Sequence, residues 1–194
     1  KKASILPMVI KLATEGYDGR GVQIIRTAAD ISKGFDKPGL LEDLVDFEKE
    51  ISVIVARNPQ GEITAFPVVE LVYHPEANLV EYLFAPAAIA ADKALVAEEV
   101  ACRVIEELDM TGLLAVEMFL TKTGDILVNE VAPRPHNSGH QTIEANRTSQ
   151  YEQHLRAILD LPLGDTDAYI SAAMVNLLGA EGHTGPARYQ GVQE

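Results

Sequence analysis

The chain has 194 residues, 47% apolar and 23% charged, enough to bury an ordinary core without a disulfide or structural metal. Its formal charge of −13, from 29 acids against 16 bases, supplies no basic stripe and so excludes nucleic-acid backbones as expected partners. No apolar run reaches the roughly 18 residues that span a bilayer and no signal-peptide pattern opens the chain, so no membrane contact and a cytoplasmic location are expected.

In chain order, residues 8–10 and 22–26 read as two short strands around Glu15-Gly16-Tyr17-Asp18-Gly19-Arg20-Gly21. Gly34, Pro38 and Gly39 then punctuate a boundary between lobes. Residues 51–56 and 63–73 are apolar or β-branched runs separated by Asn58-Pro59-Gln60-Gly61, the pattern of a hairpin, and residues 79–84 predict a further strand. Over residues 92–108, Ala94, Ala97, Ala101, Val104, Ile105 and Leu108 recur at spacings of three and four, which predicts a helix. Cys102, the single cysteine, lies within it and reads as a buried, inert thiol. Strands follow over 113–120 and 126–131. Ser149 and Glu152 have capping-box spacing ahead of a helix whose apolar face is Tyr151, Leu155, Ile158 and Leu159, ended by Pro162 and Gly164. Residues 170–178 predict a last buried strand. The class expected is α+β with mainly antiparallel pairing. A start at Lys1-Lys2 and an abrupt stop at Gln193-Glu194 suggest a piece of something longer.

The span from Leu113 to Val131 carries the most local information. With a turn centred between Thr123 and Gly124, Lys122 faces Asp125 and Glu117 faces Glu130. Directly opposed side chains have Cβ atoms about 4.5–5.5 Å apart. Two carboxylates so placed require either a proton on one of them or a cation between them. Hard oxygens of this kind suit Mg²⁺, and Asn129 adds a neutral oxygen alongside. Two solvated glutamates on an exposed sheet face are the plain alternative, and the hairpin alone does not choose.

The next twelve residues weigh on that choice. Asn129-Glu130-Val131-Ala132-Pro133-Arg134-Pro135-His136-Asn137-Ser138-Gly139-His140 concentrates metal-type oxygens, a guanidinium, two imidazoles and an amide. Pro133 and Pro135 stiffen the backbone between them, and Arg134 offers a fork of donors to a phosphate or bicarbonate. Together with residues 115–119, residues 148–158, Pro162-Leu163-Gly164 and Asn176-Leu177-Leu178-Gly179, this run resembles the N5-carboxyaminoimidazole ribonucleotide synthetases, a branch of the ATP-grasp superfamily. The likeness covers roughly residues 5 to 180.

That resemblance implies an ATP-grasp fold with a small lid lobe over residues 1–41, a large lobe over 42–194, and an N-terminal domain of the full enzyme missing. It implies ATP and Mg²⁺ as cofactors, and bicarbonate and aminoimidazole ribonucleotide as substrates. Lys11 would reach the nucleotide phosphates beneath a mobile loop containing Gly16, Gly19 and Gly21, while Tyr17, Asp18 and Arg20 would help hold the ribonucleotide. Glu42 would receive the adenine amino group with the backbone near Val45, and Glu50 the ribose hydroxyls. Glu117 and Glu130 would hold the metal, with Asn129 beside them. Arg134, with Arg20, would serve the transferring group, and His136 and Asn137 would contact the imidazole. Bicarbonate would take the γ-phosphate as carboxyphosphate before the amine is carboxylated, and closure of the glycine loop would keep water out. Family members often pair as homodimers. The chain departs from the family at Leu12-Ala13-Thr14-Glu15, which stiffens the loop or puts an acid near phosphate, and at Asp43. Without the missing domain the 194 residues alone are expected to be inactive or nearly so.

Two other readings stay open at this point. The formate-using glycinamide ribonucleotide transformylases carry a similar run, usually continued Asp-Thr-Gly where this chain has Asn137-Ser138-Gly139. A non-catalytic nucleotide-binding module of the same fold is the other.

Overall fold

The computed structural model describes residues 6–14, 21–73, 80–177, 179, 182–186, 188–189 and 191. Strands β1 (Met8–Leu12), β2 (Val22–Ile25) and β3 (Gly39–Asp43) form a three-stranded antiparallel sheet in the order β2-β1-β3. A 3-10 helix over Ala28–Lys33 precedes β3. Neither it nor β3 was expected from the punctuated stretch. Because β3 runs through Asp43, the lobe boundary expected after residue 41 falls inside a strand of the small sheet.

The remaining strands make a seven-stranded sheet: β4 (Phe47–Arg57), β5 (Ile63–Ala65), β6 (Val69–Tyr73), β7 (Val80–Ala85), β8 (Gly112–Thr121), β9 (Ile126–Ala132) and β10 (Ala172–Val175), ordered β10-β7-β6-β4-β8-β9. Every pairing in it is antiparallel. The apolar run expected as one strand over 63–73 divides into β5 and β6. Pro67 sits in the break, where it cannot donate to a ladder, and the two pieces pair with opposite ends of β4.

Helix α1 (Ala91–Glu107) lays Ala97, Ala101 and Ile105 on one face of the sheet, against Ile51, Val53, Val55, Leu114, Val116 and Met118. On the other face Ile54, Ala56, Leu113 and Ala115 meet Ala157 of α3 (Gln150–Ile158), which follows the short α2 (Thr142–Ala145). Both faces of β8 are thus covered, which is why its sequence is apolar without alternation.

Three expectations need correcting. The apolar face of α3 points outward: Tyr151, Leu155, Ile158 and Leu159 are exposed, while Gln150 and Gln153 are fully buried. The buried amides hold turns that apolar side chains could not. Gln153 donates to the Gly164 carbonyl at 3.0 Å and accepts from its N–H at 2.8 Å. Second, β10 is an edge strand of alternating, partial burial, with Val175 exposed. Third, Cys102 is half-buried, with burial and Glu98 raising its pKa. Among the described residues no helix is long and apolar enough to cross a membrane.

Candidate functional site

The β8–β9 hairpin turns through Gly124, whose φ of +85° lies in the left-handed region that favours glycine. Thr121 N donates to Asp125 O, and Gly124 N to Thr121 O, each at 2.9 Å. That three-residue loop is centred on Thr123, half a step earlier than expected. Lys122 therefore does not face Asp125 across the ladder, and its Nζ lies 2.7 Å from Asp46. The register runs Leu120↔Ile126, Phe119↔Leu127, Met118↔Val128 and then shifts, so that Glu117 opposes Glu130 and Val116 opposes Val131. Asn129 is the extra residue of a β-bulge. The expected pairing of the two glutamates is correct, but it arises from the displaced turn and the bulge offsetting one another.

Glu117 continues the face that carries Leu113 and Ala115, and Glu50 continues the Ser52, Ile54 and Ala56 face of β4. The same side of the sheet therefore changes from apolar to acidic along its length. Glu117 is buried and Glu130 exposed. Burial first, and the Glu130 charge second, push the Glu117 carboxyl up to about 7. The same two causes raise Glu50 to about 7, against the pull of Lys11. Tyr73 on β6 donates to Glu117 Oε2 at 3.2 Å, and burial with the surrounding carboxylates holds its phenol strongly protonated.

Lys11 reaches across from the small sheet. Its Nζ donates to Asn129 Oδ1 at 2.8 Å and pairs with Glu42 Oε2 at 2.9 Å. Residues expected to serve phosphate and adenine thus touch one another. His136 Nε2 lies 3.6 Å from Glu117 Oε1. Arg134 is exposed, donates to the Pro135 carbonyl at 3.1 Å, and its charge acts to lower the Glu117 pKa. Asn137 Oδ1 is buried with no hydrogen-bond partner among the described residues. Val45 lies in the short link between β3 and β4, and Gly21 accepts from Leu12 N at 2.8 Å. Gly16, Tyr17, Asp18, Gly19 and Arg20 lie outside the described residues, as does Glu15.

Sequence reading missed Tyr73, Ser52 and Ser138. Ser52 Oγ and Ser138 Oγ are both buried and 2.8 Å apart, and Ser138 Oγ is 2.9 Å from His136 Nδ1. Two polar residues, Glu50 and Ser52, on the otherwise apolar face of β4 were the available signal. A groove of about 410 Å³ lies elsewhere, on the α1 side by the hairpin turn, lined by Lys49, Ala90, Lys93, Lys122 and Gly124. It shares no residue with the acidic cluster.

Among the described residues no group of three or more His, Cys, Asp or Glu side chains is arranged to hold a metal unaided. Two opposed carboxylates beside an amide oxygen do fit a hard cation that keeps several waters and shares itself with phosphate oxygens, the habit of Mg²⁺.

A model of the ATP-grasp domain matches residues 2–151. The chain belongs to the ATP-grasp family. It is 48% identical to the N5-carboxyaminoimidazole ribonucleotide synthase of Mycobacterium leprae (strain TN) over 182 residues, 90% of this chain and 41% of that relative. The crystal structure of N5-carboxyaminoimidazole ribonucleotide synthetase from Thermotoga maritima superposes with a TM-score of 0.81 at 48% identity, covering 92% of this chain and 46% of that one. The Aspergillus clavatus N5-carboxyaminoimidazole synthase, solved with ADP and 5-aminoimidazole ribonucleotide, gives 0.82 at 32% identity, covering 91% and 47%. This ATP-grasp chain spans less than half the length of the relatives it matches. The matched residues 2–151 take in the three-stranded sheet, strands β4 to β9 and the loop at residues 133–140.

Proposed function

We propose that this chain forms the ATP-binding part of an enzyme that carboxylates 5-aminoimidazole ribonucleotide with bicarbonate at the expense of ATP, in cytoplasmic purine synthesis. The observation that carries the reading is the Glu117–Glu130 pair, opposed across a bulged hairpin with Lys11 and Asn129 at its side. It rests further on the similarity to relatives named for that activity.

In this reading Lys11 leaves Glu42 and Asn129 to meet nucleotide phosphate, supported by the Gly16, Gly19 and Gly21 loop. Glu42 and the Val45 backbone receive adenine, and Glu50 the ribose hydroxyls. Glu117 and Glu130, with Asn129, would hold Mg²⁺, which would supply positive charge beside the transferring phosphoryl group. A bicarbonate oxygen attacks the γ-phosphorus, the bond to the β-bridging oxygen breaks, and ADP leaves. Arg134, with Arg20, steadies the anion by charge-assisted donors. The amine then attacks the carboxyl carbon, phosphate leaves, and the nitrogen loses one proton. His136 and Asn137, with Tyr17 and Asp18, hold the imidazole ribonucleotide. The lid is the three-stranded sheet and the large lobe the seven-stranded one.

The test is ADP release by the full-length protein. Release that needs both bicarbonate and 5-aminoimidazole ribonucleotide is expected. Release that instead needs formate and glycinamide ribonucleotide would overturn the assignment.

A further inference from the structure

Gln150, the first residue of α3, is fully buried beneath the loop that carries His136 and His140. Its Oε1 accepts from the His136 backbone N–H at 2.9 Å, and its Nε2 donates to the His136 carbonyl at 2.8 Å. A peptide N–H can only donate and a peptide carbonyl can only accept, so the two ends of this amide are fixed by their partners and cannot be exchanged.

The same Nε2 lies 3.0 Å from His140 Nδ1. An amide nitrogen has no lone pair to offer, so Nδ1 is the acceptor and the neutral ring carries its proton on Nε2. Tyr151 stacks on that ring, and its hydroxyl, 2.9 Å from Nδ1, can serve as a second donor. Burial lowers the His140 pKa, in keeping with a neutral imidazole. The fit is close: a Cβ on Gly139 would fall 2.6 Å from Gln150 Oε1, so any side chain there would displace the amide from its place.

His136 is held by other groups. Its Nδ1 lies 2.9 Å from the Ser138 hydroxyl and 3.3 Å from the Ser138 backbone nitrogen, and its Nε2 faces Glu117 at 3.6 Å. His140, for its part, presents a neutral N–H donor from the loop. With His136 of the same loop 3.6 Å from Glu117, a neutral His140 lets the loop meet an oxygen of a substrate without adding a cation for the carboxylates to capture.

We propose that Gln150 is a positioning residue of the site, one buried amide that sets the path of the 136–140 loop and holds His140 as an Nε2–H donor. The kinetic half of this rests on the function proposed above, whereas the tautomer follows from the hydrogen bonds alone.

Histidine ¹⁵N NMR on the full-length protein, assigned by single substitutions, reads the tautomer. A bare Nδ1 and protonated Nε2 on His140 are expected, and a protonated Nδ1 in the wild type would overturn the proposal. Tyr151→Phe should leave the tautomer in place because Gln150 remains, and its loss there would also overturn the proposal. Gln150→Glu keeps the acceptor for His136 N but sets an oxygen against two acceptors. His140 should then take a proton on Nδ1, with kcat falling about 10- to 100-fold and KM for ATP changing less than about twofold. A Gln150→Glu enzyme with wild-type tautomer and turnover contradicts the proposal. If that variant does not fold, the wild-type spectrum and Tyr151→Phe decide. A wild type that ignores bicarbonate and the ribonucleotide would sink the proposed reaction, and the spectra alone would then decide this inference.

Discussion

Glu117 joins a buried carboxyl to an exposed partner of like charge, and its protonation sets how the metal-free site behaves. The folded pKa values of Glu117 and Glu50 are raised from 4.5 to about 7. Between those limits the folded chain binds more protons than the unfolded one, so stability falls as pH rises. Their contribution is fully present below about 4.5 and is lost as pH passes 7. Urea titrations of metal-free protein at pH 5 and pH 8 should show this loss, and an equal or greater stability at pH 8 would count against it. Glu117→Gln should raise stability at pH 8 by roughly 1–2 kcal/mol, since a neutral amide needs no such proton, and the gain should vanish near pH 5. The same variant should weaken Mg-ATP binding by about tenfold or more in calorimetric titration, because an amide is a poorer partner for a hard cation. Residue types in the run over 129–140 made most of this site legible in the sequence. The tyrosine and serines that complete it were not, because no local pattern brings β6, β4 and the loop together.

At the scale of elements, the sequence disclosed period but not direction. The spacing of apolar residues located α1 and its buried face correctly, since Ala97, Ala101 and Ile105 lie on it. The same reasoning located α3 and turned it inside out, because two glutamines that bind loop backbone outrank four apolar side chains for the inner face. Removing a buried amide that serves both the N–H and the carbonyl of a half-buried turn strands a donor and an acceptor. Gln153→Ala should therefore cost on the order of 2–4 kcal/mol, whereas Leu155→Ser on the outer face of the same helix should cost less than about 0.5 kcal/mol. Chemical denaturation of the two variants side by side checks this, and a reversed order would show the helix rotated. Strand β3 escaped notice because Gly39 and the charged Glu42-Asp43 end give it no alternation to detect.

For the molecule as a whole, Lys11 is a described tie between the two sheets, holding Asn129 of the large one and Glu42 of its own. The sequence showed that a small and a large part were to be expected, yet placed the division within β3, because strand pairing across 30 residues leaves no local mark. Deleting Asn129 should leave Glu130 opposite Glu117 while removing the partner of Lys11 on the large sheet, with Glu42 still in place. Nucleotide affinity should then fall about tenfold with little change in melting temperature. Unchanged affinity would show that this tie has no part in binding.

The bulge at Asn129 also makes the hairpin sensitive to odd and even. Side chains alternate across a strand with a strict period of two, and one surplus residue has already been absorbed between Val128 and Glu130. A single residue inserted between Gly124 and Val128, with the turn pairing held, would carry Glu130 to the α1 side, where Val116 and Met118 pack. An inserted pair would return it to the face of Glu117, but opposite Ala115. Variation in hairpin length among working copies of this sequence should therefore come in steps of two, one residue in each strand.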